Sequence, residues 1–150
     1  MTVNRWDERY RGEDYLFGRE PSAFLKREAD RFAKGGSVLA VADGEGRNGV
    51  FLARLGLKVH AIDASSVALE KSARLAGEAG VEITLEQADL ADWSWPQDSY
   101  DYVVAIFIQF ADPAMRVLLF EAMKRALKPG GLLLLHGYRP EQVELGTGGP

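Results

Sequence analysis

Short, continuously apolar runs recur along the chain and are separated by longer segments with helical periodicity. The first run, residues 38–42, reads Val-Leu-Ala-Val-Ala, which is typical of a strand buried on both faces of a parallel sheet. Similar runs predict four more strands, at 57–62, 83–88, 102–107 and 132–136. The run at 83–88 is the most polar of these, and the run at 102–107 is the most apolar.

Four helices are predicted around these strands by apolar residues three and four positions apart. Ser65 or Ser66 is expected to cap the third helix, and Gly80 to end it. Asp112 and Pro113 have the residue types that begin a helix, and 129–131 (Pro-Gly-Gly) is expected to end the last one. The approximate ranges of the helices are 21–33, 47–55, 66–79 and 113–127.

Strands that alternate with helices of this length predict an α/β fold. We expect a Rossmann-like, doubly wound and mainly parallel sheet with helices on both faces. The 150 residues suit one domain with a substantial core. We assign this domain to residues 21–150, and expect the aromatic-rich residues 1–20 to form a lid, with Trp6, Arg9, Tyr10 and Tyr15 facing inward. The fifth strand is expected to lie at an edge of the sheet.

Composition disfavours several classes of function. The formal net charge is −4 and no basic stripe is visible, so neither nucleic acid nor a membrane is expected as a partner. The chain has no cysteine, which excludes disulfides and thiol nucleophiles and suits a reducing cytoplasm. Only two histidines are present, and no metal site is expected. We expect a monomer or a homodimer.

The candidate chemistry lies at the carboxyl ends of the strands, where open parallel sheets bind their ligands. Residues 43–48 (Asp-Gly-Glu-Gly-Arg-Asn) follow the first strand, and their glycines let the backbone pass close to a ligand. Asp63 ends the second strand and can accept hydrogen bonds from both hydroxyls of a ribose. Asp89 follows the third strand and can accept from an adenine amino group, with Leu90 against the ring.

Simpler interpretations of the same residues remain open. Gly44, Gly46 and Gly49 satisfy G-x-G-x-x-G, which is also compatible with NAD or with a plain tight turn. Asp63 could cap the helix that follows it, and Asp89 could be an ordinary loop acid. The charges of residues 70–71 (Glu-Lys) and 124–125 (Lys-Arg) are expected on solvated helix faces.

The sequence around the first strand resembles the first S-adenosylmethionine (SAM) motif of class I methyltransferases. Residues 38–48 carry this resemblance. Gly-Arg-Asn at 46–48, with Trp-Asp-Glu-Arg-Tyr at 6–10 and Phe-Gly-Arg-Glu-Pro at 17–21, resembles the tellurite-resistance and thiopurine methyltransferase-like branch. Ala40 and Ala42 depart from the family, which has an acid and a glycine there. The resemblance also implies a further C-terminal strand pair, which we expect to be missing.

The resemblance implies SAM as the cofactor and a small molecule as the methyl acceptor, such as a thiol, an oxyanion or a metalloid. It implies no catalytic residue, and it implies residues 106–110 as the floor of the acceptor pocket. Two alternatives stay open: an NAD(P)-dependent oxidoreductase domain, and a SAM-binding module without turnover. The cofactor-binding residues expected from the spacing and the resemblance are Arg9, Ala42, Asp43, Gly44, Glu45, Gly46, Asn48, Asp63, Ala64, Asp89, Leu90 and Ile106.

Overall fold

The structure is a computed structural model that describes the backbone of residues 3–6 and all atoms of residues 7–12, 14–15, 18–106 and 112–137. The strands are β1 (Ser37–Val41), β2 (Lys58–Asp63), β3 (Thr84–Gln87), β4 (Tyr100–Ile106) and β5 (Leu127–His136). The helices are α1 (Val3–Tyr10), α2 (Ala23–Arg27), α3 (Arg47–Arg54), α4 (Ser66–Ala79) and α5 (Pro113–Ala126), and a 3-10 turn covers Ala29–Arg31.

The strands form one sheet in the order β3-β2-β1-β4-β5, and every pair is parallel. Val41 of β1 pairs with Ile62 of β2 on one side and with Ala105 of β4 on the other. Strand order therefore reverses between β1 and β4, which confirms the doubly wound fold. The carboxyl ends of these three strands meet at one edge of the sheet, where open α/β sheets hold their ligands.

Side chains from β1 alternate between two hydrophobic clusters, one on each face of the sheet. Val38 and Ala40 pack on the face covered by α2 and α3, together with Leu25 and Leu52. Leu39 and Val41 pack on the opposite face, with Leu119, Met123 and Ala126 of α5. The continuous apolar run at 38–42 predicted a strand buried on both faces, and the structure confirms it. The predicted helices on both faces of the sheet are also confirmed.

The prediction of one helix over 21–33 is wrong. α2 has five residues, and a 3-10 turn follows it after Glu28. After this turn the chain contacts β4: the Ala33 amide donates to the Tyr102 hydroxyl at 2.7 Å, and the Phe32 ring packs edge-on against Tyr102. These contacts are between residues far apart in sequence, so local periodicity could not predict them.

The prediction that Pro129-Gly130-Gly131 ends the last helix is also wrong. α5 ends at Ala126, because Leu127 is already extended and is the first residue of β5. The Pro-Gly-Gly segment lies in an irregularity of the strand, between the pairs Tyr100↔Leu127 and Tyr102↔Leu132. A Cβ at Gly131 would lie 3.0 Å from the backbone oxygen of Asp101, so glycine allows the strands to approach closely there.

Two further predictions involve the sheet edges and the helix termini. β5 lies at an edge of the described sheet, as expected. The caps of the later helices are confirmed: Ser65 accepts from the Ala68 amide, and Asp112 accepts from the Met115 amide.

Phe107, expected at the end of β4, lies outside the described residues together with 108–110. No helix in the described part of the chain is long and apolar enough to cross a membrane.

Candidate functional site

A cavity of about 350 Å³ opens at the carboxyl ends of β1, β2 and β4. We call it the strand-end cavity. It lies at the point where strand order reverses, which is the position that the sequence predicted for a ligand. Its lining residues are Tyr10, Gly18, Ala42, Asp43, Gly44, Glu45, Arg47, Asn48, Asp63, Ala64, Ala88, Asp89, Leu90, Ala91, Ile106, Asp112 and Met115.

The structure brings most of the predicted cofactor-binding residues together in this lining. Gly46 and Arg9 are the two that it does not place there. Gly46 lies under the turn against α4, and the Arg9 side chain is exposed on α1. Sequence reasoning had not selected Gly18, Arg47, Asp112 or Met115. The predicted residues that do line the cavity are Ala42, Asp43, Gly44, Glu45, Asn48, Asp63, Ala64, Asp89, Leu90 and Ile106.

The turn between β1 and α3 depends on residues in the left-handed backbone region. Ala42 has φ 52°, a conformation that glycine adopts more easily, and Gly46 has φ 93° at the N-cap of α3. A Cβ at Gly46 would overlap Ser72 of α4, whose Cα would be only 2.9 Å away. Glycine at 46 therefore allows α4 to pack against the turn, rather than providing a ligand contact.

Asp63 joins the two loops that border the cavity. Its Oδ2 accepts from the Gly44 amide at 2.8 Å, and its Oδ1 accepts from the Ser65 amide at 2.9 Å. Burial raises the pKa of Asp63, while hydrogen bonds from the Ser65, Gly44 and Ala64 amides act in the opposite direction. The side-chain cap of α4 is Ser65 and not Asp63. Carboxylate oxygens accept more than one hydrogen bond, so Asp63 keeps capacity for a ligand.

Asp43 is a carboxylate set beneath the same turn. Its Oδ1 accepts from the Gly49 amide at 3.1 Å, and its Oδ2 is enclosed without a hydrogen-bond partner among the residues that the structure describes. Burial, together with the nearby Asp63 carboxylate, raises the pKa of Asp43 to about 8. A Cβ at Gly49 would overlap Oδ2, so any side chain at 49 would displace the Asp43 carboxylate.

Glu45 forms a salt bridge with Lys71 of α4 at 2.9 Å, and both side chains are almost fully buried. Lys71 Nζ also donates to the backbone oxygen of Asp14 at 2.8 Å. The expectation that Lys71 lies on a solvated helix face is therefore wrong. The sequence held a signal for this, because Lys71 is three residues after Ala68 and four before Leu75, on the apolar face of α4.

Asn48 and Asp89 both contribute to the cavity while holding local structure. Asn48 is buried, and its Oδ1 accepts from the Ser22 amide at 2.8 Å, which attaches the start of α2 to the turn. Asp89 Oδ1 accepts from the Ala91 amide at 3.0 Å, so this acid does stabilise its own loop. Leu90, next to it, is 8% exposed and presents an apolar surface.

The N-terminal segment reaches the cavity through Tyr10, which is 5% exposed. Arg9 next to it is exposed, which does not agree with the expectation that it faces inward. Tyr15 packs against α4 instead of lining the cavity: the Arg19 guanidinium lies 4.8 Å from its ring centroid, and its hydroxyl donates to the Lys71 backbone oxygen. The Trp6 side chain and Phe17 lie outside the described residues.

The charges around the cavity fit a cationic ligand. Asp63 and Asp89 bring carboxyl groups to the lining, whereas Asp43, with its pKa raised to about 8, is mostly protonated at neutral pH and adds little charge. SAM carries positive charge on its sulfonium and its amino group, whereas the pyrophosphate of NAD is anionic and would meet these acids. Among the described residues, no group of three or more His, Asp or Glu side chains is placed to hold a metal ion.

A protein family described as methyltransferase domain matches residues 38–131. This match covers more than half of the chain and includes both the turn after β1 and Asp63. The chain therefore belongs to the methyltransferase-domain family. This result favours the methyltransferase interpretation of the glycine pattern over the oxidoreductase one. No curated protein matches the sequence significantly.

Solved structures share the fold at low sequence identity. The PH0226 protein from Pyrococcus horikoshii OT3 has a TM-score of 0.73 and 23% identity, over 81% of this chain and 55% of that protein. A SAM-dependent methyltransferase from Geobacter sulfurreducens, solved with S-adenosylhomocysteine (SAH), has a TM-score of 0.66 and 22% identity, over 87% and 52%.

A TehB-like SAM-dependent methyltransferase from Corynebacterium glutamicum has a TM-score of 0.67 and 17% identity, over 89% of this chain and 68% of that one. At these identities the likeness establishes the fold, and it does not select a branch of the family. The chain spans little more than half the length of the Pyrococcus and Geobacter proteins.

Proposed function

We propose that this chain binds SAM in the strand-end cavity and is the cofactor-binding part of a methyltransferase that acts on a small-molecule acceptor. The observation that carries this proposal is the position of Asp63. Its carboxylate is buried at the end of β2 and bonded to the Gly44 amide, so the candidate ribose site and the glycine turn form one continuous surface. The family match supports the same activity.

Each side of the cavity has a proposed role. Asp63 accepts from the ribose hydroxyls, and Asp89 and Leu90 border the adenine. Residues 42–48 enclose the methionine part, and Ile106 lies between this part and the acceptor. SAM supplies a methyl group activated by its sulfonium, so the chain's own contribution is mainly to position the reactants. We assign no general base, because a thiolate or another soft anion needs none.

We place the acceptor among thiols, oxyanions or metalloids, by resemblance to the tellurite-resistance and thiopurine branch. Support for this branch comes from the aromatic N-terminal motifs and from Gly-Arg-Asn at 46–48. We also propose that residues 1–20 act as a lid on the domain formed by 21–150. Tyr10 in the cavity lining, and Lys71 bonded to Asp14, support a cover held against α4.

Calorimetric titration with SAM, SAH and NADH tests the proposed cofactor site. The parent chain is expected to bind SAM and SAH and not NADH. Asp63→Asn should weaken SAM binding by about 2–4 kcal/mol, since two ribose hydrogen bonds are lost or reversed. Asp92→Asn is the matched control, because Asp92 is an exposed acid outside the cavity lining and should have no effect. Equal affinity of the parent and Asp63→Asn for SAM would show that the site is misplaced.

A SAM-binding module without turnover is the second candidate. Ala40 favours it: this residue is 1% exposed in the core, at the position where the family has an acid that orients the cofactor. A screen with methyl-labelled SAM against thiols, oxyanions and metalloids separates the two candidates. Transfer of label to any of them supports the enzyme, and SAM binding with no transfer across the screen supports the module.

A further inference from the structure

Tyr10 brings a phenol hydroxyl from the N-terminal helix to the glycine turn. A Cβ built on Gly44 would lie 3.0 Å from the Tyr10 hydroxyl oxygen, so this hydroxyl lies directly over Gly44. The Tyr10 side chain is buried and lines the strand-end cavity. The absence of a side chain at 44 is what permits this close approach.

Hydrogen bonds fix the position of Tyr10 relative to Asp63. The Ser65 hydroxyl donates to Asp7 Oδ1 at 2.6 Å, and the Ser65 amide donates to Asp63 Oδ1 at 2.9 Å. Asp7 lies three residues before Tyr10 on α1, so both side chains leave the same face of that helix. Ser65 therefore links the helix that carries Tyr10 to the carboxylate proposed to bind the ribose.

Gly44 marks the place where the two parts of the proposed cofactor site meet, because its amide donates to Asp63 Oδ2 at 2.8 Å. In SAM, the sulfonium joins the 5′-carbon of the ribose to the methionine tail. If a ligand places its ribose on Asp63 and its methionine tail along the turn, its sulfur lies near Gly44. The sulfur then also lies near the Tyr10 hydroxyl, which covers Gly44.

We propose that the Tyr10 hydroxyl contacts the sulfonium end of SAM and makes the site prefer SAM to SAH. This inference rests on the proposed function. The phenol oxygen carries partial negative charge, which attracts a sulfonium and its polarised methyl group more than it attracts a neutral thioether. Burial, together with Asp63 and Glu45, raises the pKa of Tyr10 above its ordinary value, so the phenol stays protonated at neutral pH.

Titration of SAM and SAH into three proteins tests this inference. Tyr10→Phe should lower the affinity for SAM about fivefold to tenfold, the value of one modest polar contact, and change the affinity for SAH by less than about twofold. Tyr15→Phe is the matched control, because the Tyr15 hydroxyl donates to the Lys71 backbone oxygen and Tyr15 does not line the cavity. It should leave the ratio of the two affinities unchanged.

The outcomes separate this inference from the proposed function. A parent chain that binds neither compound contradicts the proposed function, and the inference with it. A parent that binds both, while Tyr10→Phe weakens both equally or neither, overturns only the inference. If Tyr10→Phe does not fold, the parent saturated with SAM carrying a ¹³C-methyl group should give a nuclear Overhauser effect between that methyl and the Tyr10 ring. A saturated complex without this effect also overturns it.

Discussion

Glu45 and Lys71 form a salt bridge whose side chains are only 2% and 5% exposed. Glu45 belongs to the turn that lines the strand-end cavity, and Lys71 belongs to α4. Because Lys71 also donates to the Asp14 backbone oxygen, one ammonium group connects the turn, the helix and the N-terminal segment. A lysine remote from the cavity in sequence therefore positions the backbone that is proposed to hold the cofactor.

Lys71→Met should destabilise the fold by about 3–5 kcal/mol, because it leaves the Glu45 carboxylate buried without its ion-pair partner. Urea unfolding measures this loss. Lys124→Met is the control: Lys124 forms an exposed salt bridge with Glu121 at 2.8 Å, and its loss should cost less than about 1 kcal/mol. Adding Glu45→Gln to Lys71→Met should recover part of the stability. Equal losses from Lys71→Met and Lys124→Met would contradict this account.

Elements that depend on local sequence patterns match the predictions, whereas elements shaped by contacts between distant residues do not. The strands at 38–42 and 57–62 and the cap at Ser65 depend on local patterns, and the structure has them close to the predicted positions. The helix expected over 21–33 ends at Arg27, and the Pro-Gly-Gly segment lies in an irregularity of β5 whose flanking residues pair with β4. Neither departure follows from a local pattern.

The same distinction between local and distant interactions applies to the residues of the candidate site. Glycines and acids at strand ends were visible in the sequence because fold topology alone brings such ends together. Tyr10 was named only as one of several inward-facing aromatics, and its place over Gly44 follows from the Asp7–Ser65 hydrogen bond between distant residues. Arg9 was also expected to face inward. Its side chain is exposed, although it is next to Tyr10 on the same helix.

Gly46→Ala should destabilise the protein by about 2–4 kcal/mol, because the new Cβ both strains the left-handed backbone and collides with α4. Thermal or urea unfolding gives the magnitude. Gly80→Ala is a control for backbone strain alone, since Gly80 has φ 70° and a Cβ added there would meet nothing within 4 Å; its cost should be about 1 kcal/mol. If both variants lose the same amount, the contact of Gly46 with Ser72 has no energetic importance.

Asn48→Ala should cost about 1–3 kcal/mol, because the Ser22 amide loses its buried acceptor at 2.8 Å. The loss should appear in urea unfolding, and SAM binding should weaken as well, since α2 is no longer attached to the turn. Gln87→Ala removes an exposed hydrogen bond to the Ala64 backbone oxygen and should change stability by less than about 0.5 kcal/mol. A fully stable Asn48→Ala variant would argue against a structural role for this amide.

Asp43→Asn should stabilise the protein at neutral and alkaline pH. The pKa of Asp43 is about 8 in the fold against an ordinary 3.8, so between these values the folded state holds a proton that the unfolded state releases. This contribution to stability is complete below pH 4 and is lost as pH rises toward 8, with a slope of up to about 1.4 kcal/mol per pH unit. Asparagine keeps an acceptor for the Gly49 amide and has no charge to bury, so the variant should gain up to about 5 kcal/mol over the parent at pH 8 and little at pH 4. Urea unfolding of both proteins across this range measures the difference, and a difference that stays constant with pH would show that Asp43 is ionised in the fold throughout.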